Sequence, residues 1–250
     1  MLSVIFSIGP VTIYSLAFLL AIAYFLAAFI AWRRLKELGL DEEKVIDFII
    51  LAAIFGLGFS KLFFFLEKQN FAGLSFWGGI AGTTVVLFWF AKKEKWDFWQ
   101  IADEITFSLL PLAVLAQVGA FLDGSTTGRP TNMPWGIYFP GNLLRTQPVS
   151  LFSAVAFFLI WLFLLRIERH WRIWQWYKSK NSGLVSLIFL GLAFWGNFLV
   201  AFWRSSKLYW YWSEIGISLI LAVTVGVVLY RRSGRNFKED LRLLLRRSHG

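Results

Sequence analysis

Apolar positions in this chain gather into seven stretches, each bounded by polar or charged residues. They run from Val11 to Trp32, Phe48 to Leu66, Leu74 to Ala91, Ile105 to Leu122, Val149 to Leu165, Leu184 to Trp203 and Ser213 to Tyr230. The first, read as a helix at ~1.5 Å per residue, covers ~33 Å, enough to cross the hydrocarbon of a bilayer. No basic residue precedes it, and Arg33, Arg34 and Lys36 follow it. That polarity is wrong for a cleaved signal peptide, so it counts as a true span. The pattern predicts an all-α integral membrane protein with seven transmembrane helices over residues 1–232. A basic tail follows at 233–250.

Composition narrows the class. Of 250 residues 58% are hydrophobic and only 16% are charged. No water-soluble domain of this size buries so much apolar surface, so soluble-enzyme, disordered and disulfide-scaffold readings fall away. There is no Cys, which removes disulfides, thiolate metal sites and a Cys nucleophile. With two His, at 170 and 249, a histidine-built metal site is not expected.

Charge sets the orientation. The chain carries a net charge of +10. If the N-terminus lies outside the cytoplasm, 19 of the 25 basic residues fall on the cytoplasmic side. The exceptions are Lys61, Lys68, Arg129, Arg145, Arg204 and Lys207. The positive-inside rule selects this arrangement, with the C-terminus inside. The basic residues lie beside apolar spans, so they point to anionic lipid and not to nucleic acid. The segment from Asn236 to Arg247 alternates basic residues with leucines and reads as an amphipathic helix on the inner leaflet or a solvated tail. Tyr209, Trp210, Tyr211 and Trp212 read as an interfacial aromatic belt.

One connection is long. The stretch from Asp123 to Pro148, after the fourth helix and on the outer side, is rich in Gly, Pro and Thr and reads as an ordered loop. Arg129 lies in it, and Arg204 closes the sixth helix. A guanidinium suits bidentate phosphate binding, so both are candidates to grip a phospholipid phosphate. The alternative is that they snorkel or pair with Asp123 and Glu214. Gly78-Gly79-Ile80-Ala81-Gly82 in the third helix reads either as a close-packing face or as backbone open to a headgroup. Tyr14, Gln117 and Asn197 are polar groups within spans, able to hydrogen-bond across helices.

Taken in order, several of these features resemble the bacterial prolipoprotein diacylglyceryl transferases. They are Gly78-Gly79, Asp103, Gly119-Ala120-Phe121-Leu122-Asp123-Gly124, Gly128-Arg129-Pro130-Thr131, Pro134-Trp135-Gly136, Pro148 and Arg204. Tyr14 matches a Tyr of that family's first helix. The resemblance implies seven helices in a bacterial plasma membrane. It implies transfer of a diacylglyceryl group from phosphatidylglycerol to the lipobox Cys thiol of an exported prolipoprotein, with glycerol phosphate leaving. The partners implied are a phospholipid, a prolipoprotein signal peptide and the bilayer, and no metal or soluble cofactor is implied.

On this resemblance Arg204 and Arg129 hold the phosphate. Tyr14 or Asp123 supplies the base, or the thiol ionises unaided, and Gly78, Gly79, Gln117, Gly119, Gly128 and Asn197 form the lipid pocket. The chain departs from the family pattern in several places. Trp77 stands where the family has His, Gln117 where it has its central Arg, and Ala120 where it has Asn. Thr146-Gln147-Pro148-Val149 replaces Arg-His-Pro-Ser, and Asn197 and Ala201 replace an Arg and a Glu. Backbone-shaping residues are kept while polar ones are lost, so a non-catalytic lipid-binding or scaffolding relative is the alternative. A transporter would show mid-span charges and broken paired helices, and a retinal protein a Lys in its last span; neither feature is present.

Overall fold

In a computed structural model, residues 4–8, 11–70, 73–139, 142–170, 176–204 and 208–235 are described. Among the described residues seven helices make up the body: α1 Ser15–Glu37, α2 Glu42–Lys68, α3 Phe76–Lys93, α4 Phe98–Asp123, α5 Val149–His170, α6 Leu184–Ala201 and α7 Leu208–Arg232. The expected tail helix from Asn236 to Arg247 lies outside the described residues. So do the side chains of Tyr209, Trp210 and Tyr211, while Trp212 is exposed.

Two strands precede the bundle. β1 (Val4–Ile8) and β2 (Val11–Tyr14) pair antiparallel from Val4↔Tyr14 to Ile8↔Val11. The expected first helix therefore starts four residues late. Val11, Thr12 and Ile13 are all β-branched and favour extended backbone, and Tyr14 is itself extended at φ −83° before α1 begins. The other helices generally outrun their apolar stretches because caps end them, not hydropathy. Asp41 Oδ1 accepts from Glu43 N–H at 3.1 Å to open α2. Asp97 Oδ1 accepts from Trp99 and Gln100 N–H at 2.9 and 3.2 Å to open α4. Gly124, at φ +71°, closes α4 in the left-handed conformation.

Six of the seven helices are long and apolar enough to cross a membrane. The chain is a multi-pass membrane protein. α3 is the exception: three glycines, two threonines and a terminal Lys pair lower its hydropathy over 18 residues. Phe25, Phe29, Ile54, Leu57, Ile220 and Val223 are exposed, as lipid-facing side chains are.

Close approach of backbones organises the bundle. α1 packs mainly on α4, α2 on α3, α6 on α7, and α4 also on α5. Ala23, Ala27, Ala31 and Leu35 are buried at four-residue intervals along α1. On α3, a Cβ at Gly78 would lie 2.5 Å from Phe59 O, and one at Gly82 2.4 Å from Phe55 O. The glycines let α3 sit directly on the α2 backbone. One apolar cluster joins Phe107 and Leu110 of α4 to Phe157 and Leu164 of α5 and Leu184 and Phe189 of α6. A second joins Leu35, Phe48, Phe90 and Ile101.

The end of the bundle away from the long loop is tied by charge. Arg34 Nη1 donates to Glu104 at 2.8 Å and to Glu168 at 2.7 Å, joining α1, α4 and α5. Its guanidinium also lies 4.0 Å from the centre of the Phe107 ring. Asp103, buried on α4, accepts from Gly183 N–H at 2.6 Å and Ser186 N–H at 2.7 Å, capping the start of α6.

Candidate functional site

The connection from α4 to α5 folds into short extended segments laid side by side. Gly128 N–H donates to Gln147 O at 2.9 Å, and Gln147 N–H returns to Arg129 O at 3.1 Å. Thr131 N–H donates to Arg145 O at 2.8 Å, while Thr146 and Ile137 exchange both backbone bonds at 2.9 and 3.0 Å. On the opposite flank Arg129 N–H donates to Trp203 O at 2.9 Å, and Gly128 pairs with Arg204. The order across this small sheet is 137, 145–147, 128–131, then 203–204 where α6 ends.

Gly128 is held by contact on all sides. A Cβ there would fall 2.6 Å from Gln147 Cβ, Trp203 O and Val149 Cγ2. Only glycine lets the 128–131 segment pass between its neighbours. The Met133–Gly136 turn has Pro134 at its second position and Gly136 N–H donating to Met133 O at 2.9 Å. Trp135 Nε1–H donates to Gln147 Oε1 at 2.8 Å, and Gln147 Nε2–H donates to Thr131 Oγ1 at 3.1 Å. Gln147, nearly buried, thus pins the turn to the sheet. Phe139 stands edge-on to Phe121, ring centres 6.1 Å apart, anchoring the loop to α4.

The charged groups converge beside this sheet. Arg129 Nε–H donates to the Arg204 carbonyl at 3.3 Å. Arg204 Nη1 pairs with Glu214 Oε1 of α7. The Arg129 guanidinium thus lies on the Arg204 backbone, and the Arg204 guanidinium on Glu214, where the loop, the end of α6 and α7 join. Two guanidiniums and one carboxylate carry a net charge of +1, which would balance a phosphate monoanion. Arg204 Nε and Thr146 Oγ1 are buried without a hydrogen-bond partner among the described residues.

The other expected residues take different positions. Tyr14 is exposed at the start of α1, and Asp123 is the half-buried last residue of α4. Gln117 is half-buried on α4. Asn197 Nδ2–H donates to Ser218 Oγ at 2.8 Å, linking α6 to α7. Gly119 faces α1, where a Cβ would lie 3.1 Å from Leu16 Cα. Gly78 faces α2, while Gly79 has only Gly56 O nearby, at 3.8 Å. Trp77 lies flat against Phe194 of α6, ring centres 4.4 Å apart and 12° from parallel. Among the described residues no group of three or more His, Asp or Glu could hold a metal ion.

Two sets of contacts escape a reading of the sequence. Gln147 works only because residues 12 and 16 positions away fold back onto it. Asp103, at the other end of the bundle, does announce itself as a carboxylate beside an apolar run, but its partners lie 80 and 83 positions on.

Comparison with known proteins finds relatives over nearly the whole chain. A family model described as prolipoprotein diacylglyceryl transferase matches residues 3–232. The phosphatidylglycerol--prolipoprotein diacylglyceryl transferase of Aeromonas salmonicida is 31% identical over 241 residues, covering 88% of this chain and 84% of that protein. The like-named protein of Aeromonas hydrophila is 30% identical over 249 residues, covering 90% and 86%. That of Bordetella bronchiseptica is 28% identical over 249 residues, covering 89% of each chain.

Proposed function

Since the chain belongs to the prolipoprotein diacylglyceryl transferase family, we propose that it moves a diacylglyceryl group from phosphatidylglycerol to the cysteine thiol of an exported prolipoprotein. The convergence of Arg129, Arg204 and Glu214 carries this reading. The thiolate attacks the glycerol carbon that bears the phosphate. An S–C bond forms, the C–O bond to phosphorus breaks, and glycerol phosphate leaves with the electron pair. Negative charge grows on the leaving phosphate, and the guanidiniums of Arg129 and Arg204 stabilise it. Tyr14 or Asp123 takes the thiol proton. Gly78, Gly79, Gly119 and Gly128 shape the headgroup pocket by letting backbones close on one another, and Gln117 and Asn197 line it.

The chain sits in the bacterial plasma membrane with seven spans, α3 included. Its N-terminus and the 124–148 loop face outward, where exported precursors arrive, and its C-terminus faces the cytoplasm. The distribution of basic residues supports this.

A second reading has its own support. Trp77 stands where the family has His, and its indole is stacked on Phe194. A chain so filled would bind lipid without turning it over. Proteoliposomes containing phosphatidylglycerol and a lipobox peptide separate the two. Transfer that disappears in both Arg204→Ala and Arg129→Ala supports the transferase. Lipid binding by the folded protein with no transfer supports the binding relative.

A further inference from the structure

Arg204 is held at one corner and open at another. It lies just beyond the last residue of α6, and its backbone is fixed by Gly128 and Arg129 of the loop. Its side chain is about one quarter exposed and pairs through Nη1 with Glu214, one fifth exposed, on α7. The Nε of the same guanidinium is buried and meets no acceptor among the described residues. A guanidinium takes a phosphate side-on through a fork of two adjacent N–H groups, and the edge bearing Nε is one such fork. An orphaned buried donor is costly and calls for an acceptor.

We propose that Glu214 is a positioning residue: by holding Nη1 it turns the Nε edge of Arg204 toward a phosphodiester oxygen of the lipid. The inference rests on the transferase reading for the identity of that lipid. Bolting α6 to α7 is a weaker account of Glu214. Asn197 and Ser218 already bond those helices at 2.8 Å, and their apolar faces are packed together. Glu214 itself meets neither the thiol nor the lipid, so its effect falls first on lipid capture and reaches the chemical step only through Arg204.

The test compares wild type with Glu214→Ala, Glu214→Asp, Arg204→Ala and the double variant Arg204→Ala/Glu214→Ala, all full-length in nanodiscs. Phosphatidylglycerol binding is read by native mass spectrometry, and KM and kcat are read in the transfer assay. Glu214→Ala is expected to weaken phosphatidylglycerol binding and raise its KM about tenfold, with a fall in kcat smaller than that of Arg204→Ala. Glu214→Asp should recover part of that loss, and the double variant should bind no worse than Arg204→Ala alone. Unchanged binding in Glu214→Ala, or a further loss in the double variant, overturns the proposal. So does a fall in kcat at constant KM. Displacement of bound lipid by millimolar inorganic phosphate overturns the lipid assignment in favour of a free-anion site. If wild type binds the lipid but transfers nothing, the transferase reading fails and the binding comparison still decides the role of Glu214. Absence of lipid binding in wild type overturns both.

Discussion

At the scale of single residues, the site depends on a few side chains with little room to vary. Gly128→Ala places a Cβ 2.6 Å from a carbonyl oxygen and two side chains, so the loop must shift. Overpacking of that kind costs about 1–3 kcal/mol. The variant should melt earlier in detergent and lose phosphatidylglycerol binding together with stability. Gln147→Ala removes the acceptor for Trp135 and the donor to Thr131. With partly buried groups left unpaired, about 1–3 kcal/mol should be lost. Fluorescence of Trp135 should shift toward that of a solvated indole. Glycines 78, 119 and 128 are legible in the sequence as small residues in demanding places. What each one faces is not, because a glycine open to a headgroup and one pressed on a neighbouring helix read alike. The structure sets Gly78 against α2 and Gly119 against α1. Gln147 is not legible at all, since an amide in a polar loop gives no hint of which segments it will join.

At the scale of elements, helix–helix contacts follow from small residues and a few buried charges. Gly82→Leu drives a side chain into the backbone of α2, where even a Cβ has only 2.4 Å. α2 and α3 should separate, and thermal midpoints in detergent should fall further than for Gly216→Leu, whose Cβ meets nothing. Arg34→Ala leaves Glu104 and Glu168 facing each other without their cation. Buried pairs lose about 3–5 kcal/mol when broken and surface pairs at most about 1. These side chains are 21–34% exposed, so about 1–2 kcal/mol is expected. Glu168→Gln should cost less, because Glu104 still meets the guanidinium. The extent of the helices was half legible. Hydropathy located every one, since apolar runs mark lipid-facing surface. The ends were missed where caps at Asp41 and Asp97 carry helices past the membrane edge, and where β-branched Val11–Ile13 form a strand.

At the scale of the whole molecule, the proposed orientation has a simple check because the chain lacks Cys. A single Cys can be placed at Leu143, 96% exposed in the long loop, or at Lys95, exposed between α3 and α4. A membrane-impermeant maleimide added to intact cells should label Leu143→Cys. Lys95→Cys should react only after the membrane is opened. The reverse pattern would invert the topology. The family was legible because its backbone-shaping motifs, from Gly78-Gly79 to Pro134-Trp135-Gly136, are kept in order along the chain. The meeting of Arg129, Arg204 and Glu214 was legible only as alternatives. A basic residue at a helix end snorkels, pairs or binds, and tertiary contacts choose among these.

The most direct measurement is the intact mass of a lipobox peptide after incubation with the purified wild-type protein and phosphatidylglycerol of known acyl chains. The account predicts a peptide heavier by one diacylglyceryl group, with release of one equivalent of glycerol phosphate. An unmodified peptide, from protein that is folded and carries bound phosphatidylglycerol, would contradict it.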